Sequence, residues 1–245
     1  WCAILFALGF PSLLTWVYFV ALNGHAAGMQ QVAYAVGKTI QFVFPVLWVF
    51  VVERQRSASG SVGRPTTTPA LRPPRLTGRG IGLGVAIGVV ISAAMLGLYF
   101  GGLAKSSVLE SAAAIVRHRL ADFGVRNPAI MIAAGVFYAL VHSLLEEYYW
   151  RWFAFGQLRR VVSLRAAIIV SSLAFTGHHV IVLAKYLPDL PWWPLASLAV
   201  AIGGAIWAWL YDRSGSILAP WVSHALVDAA LFAIGYAMAF GQSRA

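Results

Sequence analysis

From Ile81 to Ala104 the chain runs without a single charged residue. A stretch of that length exceeds the roughly 20 residues a helix needs to cross a bilayer. Comparable apolar runs predict helices at 1–22, 30–52, 80–104, 128–150, 166–186, 192–211 and 216–240. The run at 30–52 is the least clean, because Lys38 interrupts it and its uncharged part is Thr39 to Val52. With 60% hydrophobic and 11% charged residues, the chain lacks the polar surface a soluble domain of 245 residues requires. The expected fold class is all-α, a polytopic transmembrane helix bundle of about seven membrane helices.

One further helix is expected at the interface rather than across it. Residues 105–127 set Lys105, Glu110, Arg117, Arg119 and Asp122 among Val108, Ile115, Val116, Leu120 and Phe123, an amphipathic pattern. The chain begins at Trp1 rather than Met, so residues upstream of it are expected. Trp1 to Leu22 is too long for a signal-peptide core and shows no small-residue cleavage pattern, which points to a retained helix. The lone cysteine, Cys2, excludes a disulfide framework and a Cys-based metal site.

The net charge of +10 would suit nucleic acid in a soluble protein, but the arginines here lie between apolar runs. They set topology and meet anionic lipid, so the expected partners are membrane lipids and not nucleic acid. The connections at 53–79, 151–165 and 211–215 carry eleven basic residues and fall on one side of a seven-span arrangement. That side is expected to be cytoplasmic, with the N-terminus inside and the C-terminus outside. Loop 53–79, with six arginines among Ser, Thr and Pro, is expected to be disordered. Gly80, Gly84 and Gly88, and again Gly97 and Gly101, are four apart and predict close helix approach. Trp192 and Trp193 suit an interfacial anchor.

Function is sought in the ionisable groups inside the apolar runs: His142, Glu146, Glu147, His178, His179, His224 and Asp228. Burying a charged side chain in lipid costs at least ~2.5 kcal/mol, so such groups face the bundle interior, find partners and mark functional sites. Glu147 and Arg151 are four apart with the acid first, the better order for pairing, and Glu146 is rotated away from that face. Taken alone, the two acids could equally be snorkelling side chains at a helix end. His178 and His179 point about 100° apart on a helix, so one of them should face a site. His224 and Asp228 share a face and could be a structural hydrogen bond, two metal ligands, or groups aimed at a reacting carbonyl. Charged groups on three separate helices favour a shared polar cavity over three unrelated packing solutions.

In order and spacing these residues resemble the CPBP (CAAX protease and bacteriocin-processing) family, whose pattern runs EExxxR, FxxxH, then HxxxN or HxxxD. The matching positions are Glu146, Glu147 and Arg151; Phe175 and His179; and His224 and Asp228. His142 and His178 lie outside that pattern. The resemblance implies a protease core over 80–240, preceded at 1–79 by N-terminal membrane helices and the basic cytoplasmic loop. It implies an intramembrane endopeptidase cutting a membrane-associated peptide or protein. Glu146 would activate water with help from His179, His224 and Asp228 would act on the oxyanion, and Glu147, Arg151 and Phe175 would support the first carboxylate. No cofactor is expected. Zinc held by Glu146, His179, His224 and Asp228 is the rival chemistry. A non-catalytic scaffold or bacteriocin self-immunity protein is the rival function, and a proton-coupled transporter lacks the inverted repeat it would need. A compact chain of this kind suits a bacterial cytoplasmic membrane.

Overall fold

The computed structural model describes residues 1–24, 26–53, 71, 73–102, 104, 106–122, 124–186 and 192–241. Every regular element among them is helical, and seven helices are long and apolar enough to span a bilayer. They are α1 (Cys2–Ala21), α2 (Gly28–Glu53), α3 (Ile81–Gly101), α5 (Pro128–Leu158), α6 (Leu164–Tyr186), α7 (Trp193–Ser214) and α8 (Leu218–Phe240). The shorter α4 (Ser107–Asp122) falls in the expected amphipathic segment. The protein is an integral multi-pass membrane protein. Many outward side chains of these helices are apolar: Val90, Leu98 and Leu173 are each more than 60% exposed, a surface suited to hydrocarbon rather than water. Residues 54–70 and 72, most of the expected basic loop, lie outside the described residues, as do Lys105, Phe123 and Pro191.

The chain folds as two compact units, each discontinuous in sequence. One comprises Trp1–Arg75 with Glu147–Asp212, the other Leu76–Glu146 with Arg213–Ala245. The segment 80–240 therefore contributes to both.

In the second unit α3 packs along α8, and the contact is made by missing side chains. A Cβ on Gly84 would strike the carbonyl oxygen of Ala219, and one on Gly88 would come within 3.0 Å of the Ser223 Cα. Gly80, at φ +80°, starts the stripe where a Cβ would meet the Ser214 Cβ at 2.7 Å. Lipid tails give apolar helices little reason to associate, so backbone proximity and dispersion must supply the contact. The Ser92 hydroxyl adds a hydrogen bond to the Leu226 carbonyl at 3.0 Å. The second glycine pair behaves differently: nothing lies within 4 Å of a Cβ on Gly97 or Gly101, so spacing alone misplaces a contact there. Gly84→Leu should lower the unfolding temperature in detergent, equivalent to about 1–3 kcal/mol of overpacking, whereas Gly97→Leu should leave it unchanged. Equal melting of the two variants would refute this account of the stripe. On α4, Ala112 is buried while Arg117 and His118 are exposed, and Arg117 Nη1 donates to the Met238 carbonyl at 3.1 Å, fastening the amphipathic helix to the end of α8.

In the first unit α1 packs on α6, and the Tyr148–Phe155 stretch of α5 lies against α1, α2 and α6. That stretch reads YYWRWFAF, and its residues from Tyr149 to Phe155 are all buried. A helix apolar around its whole circumference is a core helix. This corrects the expected basic connection at 151–165. α5 continues through Arg151 to Leu158, leaving only 159–163 between it and α6. Arg151 is 2% exposed and paired, so it adds nothing to the loop charge that orients the chain. Lys38, the charge inside α2, is accommodated without a break: its Nζ lies 5.5 Å from the ring centroids of both Tyr34 and Phe42.

Candidate active site

α5 carries both carboxylates, and its winding changes around them. Residues Tyr138–His142 and Tyr148–Phe155 are π-wound, and the α-helical turn Ser143–Glu147 stands between them. Such widened turns are frequent at functional sites, although α1 and α2 also carry them at Val17–Ala21 and Trp48–Glu53. Glu146 and Glu147 lie well inside this helix and are buried, so they are not snorkelling acids at a helix end.

Glu147 belongs to the first unit. It is fully buried, and its Oε2 lies 3.1 Å from Arg151 Nε. The guanidinium carbon sits 4.7 Å from the Phe175 ring centroid and 5.3 Å from that of Trp207. Phe175 on α6 is thus a platform for the cation, which explains why an aromatic residue serves there. Gly204 on α7 keeps that platform in place, since a Cβ on it would press the Phe175 ring at 3.2 Å.

The two adjacent histidines on α6 do not diverge as helix geometry predicts: their ring centroids lie 4.1 Å apart. His178 stacks parallel to the Trp150 indole, 5.8 Å away and at 5°. His179 has its Nδ1 3.0 Å from the Phe175 carbonyl oxygen. With the proton on Nδ1 that contact is a hydrogen bond, and Nε2 then carries the ring's lone pair.

Glu146 belongs to the second unit, as do His142, His224 and Asp228. Its Oε2 is 3.8 Å from His224 Nε2, and its Oε1 is 3.4 Å from His142 Nε2. His224 Nε2 is also 3.6 Å from Asp228 Oδ1, so one imidazole nitrogen faces two carboxylates. The close approach of α3 and α8 at Gly88 and Ser223 lies beside His224 in sequence and fixes the start of α8. Sequence spacing recovers the His224–Asp228 pair but passes over His142. The i, i+4 relation between His142 and Glu146 was the available signal.

Three of the four expected zinc donors, Glu146, His224 and Asp228, are grouped in this unit. Donors in tetrahedral zinc sites stand about 3.4 Å apart. The observed 3.6 and 3.8 Å fit that spacing with little side-chain movement. The set can therefore perform proton transfer unaided or hold a divalent cation.

Residues 128–230 match the family model Rce1-like: Type II CAAX prenyl endopeptidase Rce1-like. Neither the search of the curated proteins nor that of the solved structures finds a match. The matched segment contains the two acids, the histidines of α6 and the His224–Asp228 pair. Its family is one of membrane proteases, which implies lipid contact and a peptide or protein substrate. Over residues 128–230, the part of the chain that carries these side chains, the protein is similar to the Rce1-like type II CAAX prenyl endopeptidases.

Proposed function

We propose that the protein hydrolyses a peptide bond in a membrane-associated peptide or protein, with Glu146 as the base that activates water. The observation that carries this reading is a buried carboxylate held 3.8 Å from a buried imidazole inside otherwise apolar helices. Such a placement is costly in lipid and has no packing rationale. Glu146 takes a proton from water as the oxygen adds to the scissile carbonyl carbon. The His224 N–H stabilises the oxyanion that forms, an effect worth several kcal/mol where hydrogen bonds strengthen in the transition state. The tetrahedral species then collapses. The C–N bond breaks, and Glu146 returns its proton to the leaving amine.

Asp228, facing the same His224 nitrogen, favours the tautomer with the proton on Nε2 and so keeps that group a donor. His179 orients the attacking water through its Nε2 lone pair. Glu147, pinned by Arg151 and Phe175, keeps the acid-bearing turn of α5 from rotating. The proposed setting is a bacterial cytoplasmic membrane, with the basic connections inside.

The protein in phospholipid vesicles should cut a farnesylated CAAX peptide at one internal bond, read by mass spectrometry. His179→Ala should abolish the cut and keep the helical spectrum. A wild-type protein that cuts no membrane peptide, with His179→Ala indistinguishable from it, would leave the scaffold reading in possession.

The donor spacing favours one second reading, a zinc ion held by Glu146, His224 and Asp228. Bound there, the ion would polarise the scissile carbonyl and acidify water. We place the metal-independent chemistry first, because the chain contains no HExxH motif. Exhaustive chelation should leave the rate unchanged. A loss reversed by stoichiometric zinc would overturn that ordering.

A further inference from the structure

His142 lies outside the family pattern, and the proposed hydrolysis does not use it. It stands one turn before Glu146 on the same face of α5. The Glu146 carboxylate lies between two imidazoles, with Oε1 3.4 Å from His142 Nε2 and Oε2 3.8 Å from His224 Nε2. The His142 ring has its own backing. Tyr138 lies 4.9 Å from it, and Tyr138 in turn stacks on Phe232 of α8, with centroids 5.4 Å apart. Gly135 makes room for that stack, because a Cβ there would press on Phe232 at 3.2 Å.

The terminal torsion of a glutamate is broad and two-fold. A buried carboxylate holds one orientation only where its surroundings fix it. His224 approaches one oxygen, and proposed catalysis engages that oxygen and its neighbour nitrogen. The opposite oxygen needs a second, non-reacting donor, and His142 is placed to be it.

We propose that His142 is a positioning residue for the general base. Its Nε2–H holds Oε1 of Glu146, so that Oε2 points at the water and at His224. This rests on the reading of Glu146 as the base, and the test separates the two.

The experiment compares wild type, His142→Leu, His142→Gln, Glu146→Gln and the double variant His142→Leu with Glu146→Gln, all in phospholipid vesicles. The probe is a farnesylated CAAX peptide. His142→Leu should lower kcat by up to about 10²-fold at unchanged KM, the size expected when a catalytic group is slightly misplaced. His142→Gln, which offers an amide N–H at similar reach, should recover most of that loss. The double variant should be no slower than Glu146→Gln alone, because two parts of one device are not additive.

A second readout needs no turnover. The carboxylate stretching band that disappears in Glu146→Gln should shift in His142→Leu and return in His142→Gln. Equal rate losses in the Leu and Gln variants, matched by equal losses of unfolding temperature, would make His142 a packing residue and overturn the proposal. So would an unshifted band. Full activity in Glu146→Gln would instead overturn the base assignment itself.

Discussion

Glu146→Gln should reduce kcat by about 10²–10⁴-fold, the range general acid–base catalysis contributes, while the protein remains folded. The substitution changes shape hardly at all. A glutamine carbonyl oxygen can still accept from one of His142 and His224, which lie 3.4 and 3.8 Å from the two present carboxylate oxygens. It cannot take a proton from water at neutral pH. Stability should hold or rise slightly, because a neutral amide is cheaper to bury among apolar helices than a carboxylate. The measurement is a single-turnover cleavage rate in vesicles beside a melting curve in detergent. Peptide binding to the variant should be intact, since the loss lies in the chemical step. A variant that cleaves at the wild-type rate would remove Glu146 from the mechanism. A variant that loses rate and melting temperature together would make it a structural residue.

Arg151→Leu should have the largest effect on stability, about 3–5 kcal/mol, the usual cost of removing one partner of a buried ion pair. Glu147 would be left fully buried with its cation gone, and Arg151 itself is only 2% exposed. Part of the loss is packing, because the guanidinium fills the space over Phe175 and Trp207. Arg151→Lys should therefore fail to rescue: an ammonium is a point charge without a planar face to lay on those rings. Glu147→Gln combined with Arg151→Met should recover much of the stability, since an apolar replacement removes the desolvation cost with the charges. Denaturant-induced unfolding in mixed micelles would measure all four proteins. A near-neutral Arg151→Leu would mean that Glu147 is neutralised or solvated in a way this geometry does not contain.

The sequence alone determined that the chain is a membrane-spanning helical bundle. Runs of twenty or more apolar residues leave few other folds available, and that property belongs to each segment separately. It also picked out Glu146, Glu147, Arg151, His179, His224 and Asp228, because charge inside an apolar run is expensive and spacing of four marks one helical face, while Phe175 entered through the family resemblance. Tertiary structure decided what the neighbours are. Arg151 looks like a loop cation by composition, yet it is buried in α5, because its charge is met by Glu147 and its faces by two aromatic rings. Two glycine stripes with the same spacing differ. Gly84 and Gly88 meet the backbone of α8, while Gly97 and Gly101 meet nothing within 4 Å. His142 shares a helix face with Glu146 by its i, i+4 spacing, but the Tyr138–Phe232 stack that backs its ring is a tertiary contact. Periodicity reports which residues share a helix face. What that face touches depends on side chains far away in the chain, and only packing fixes them.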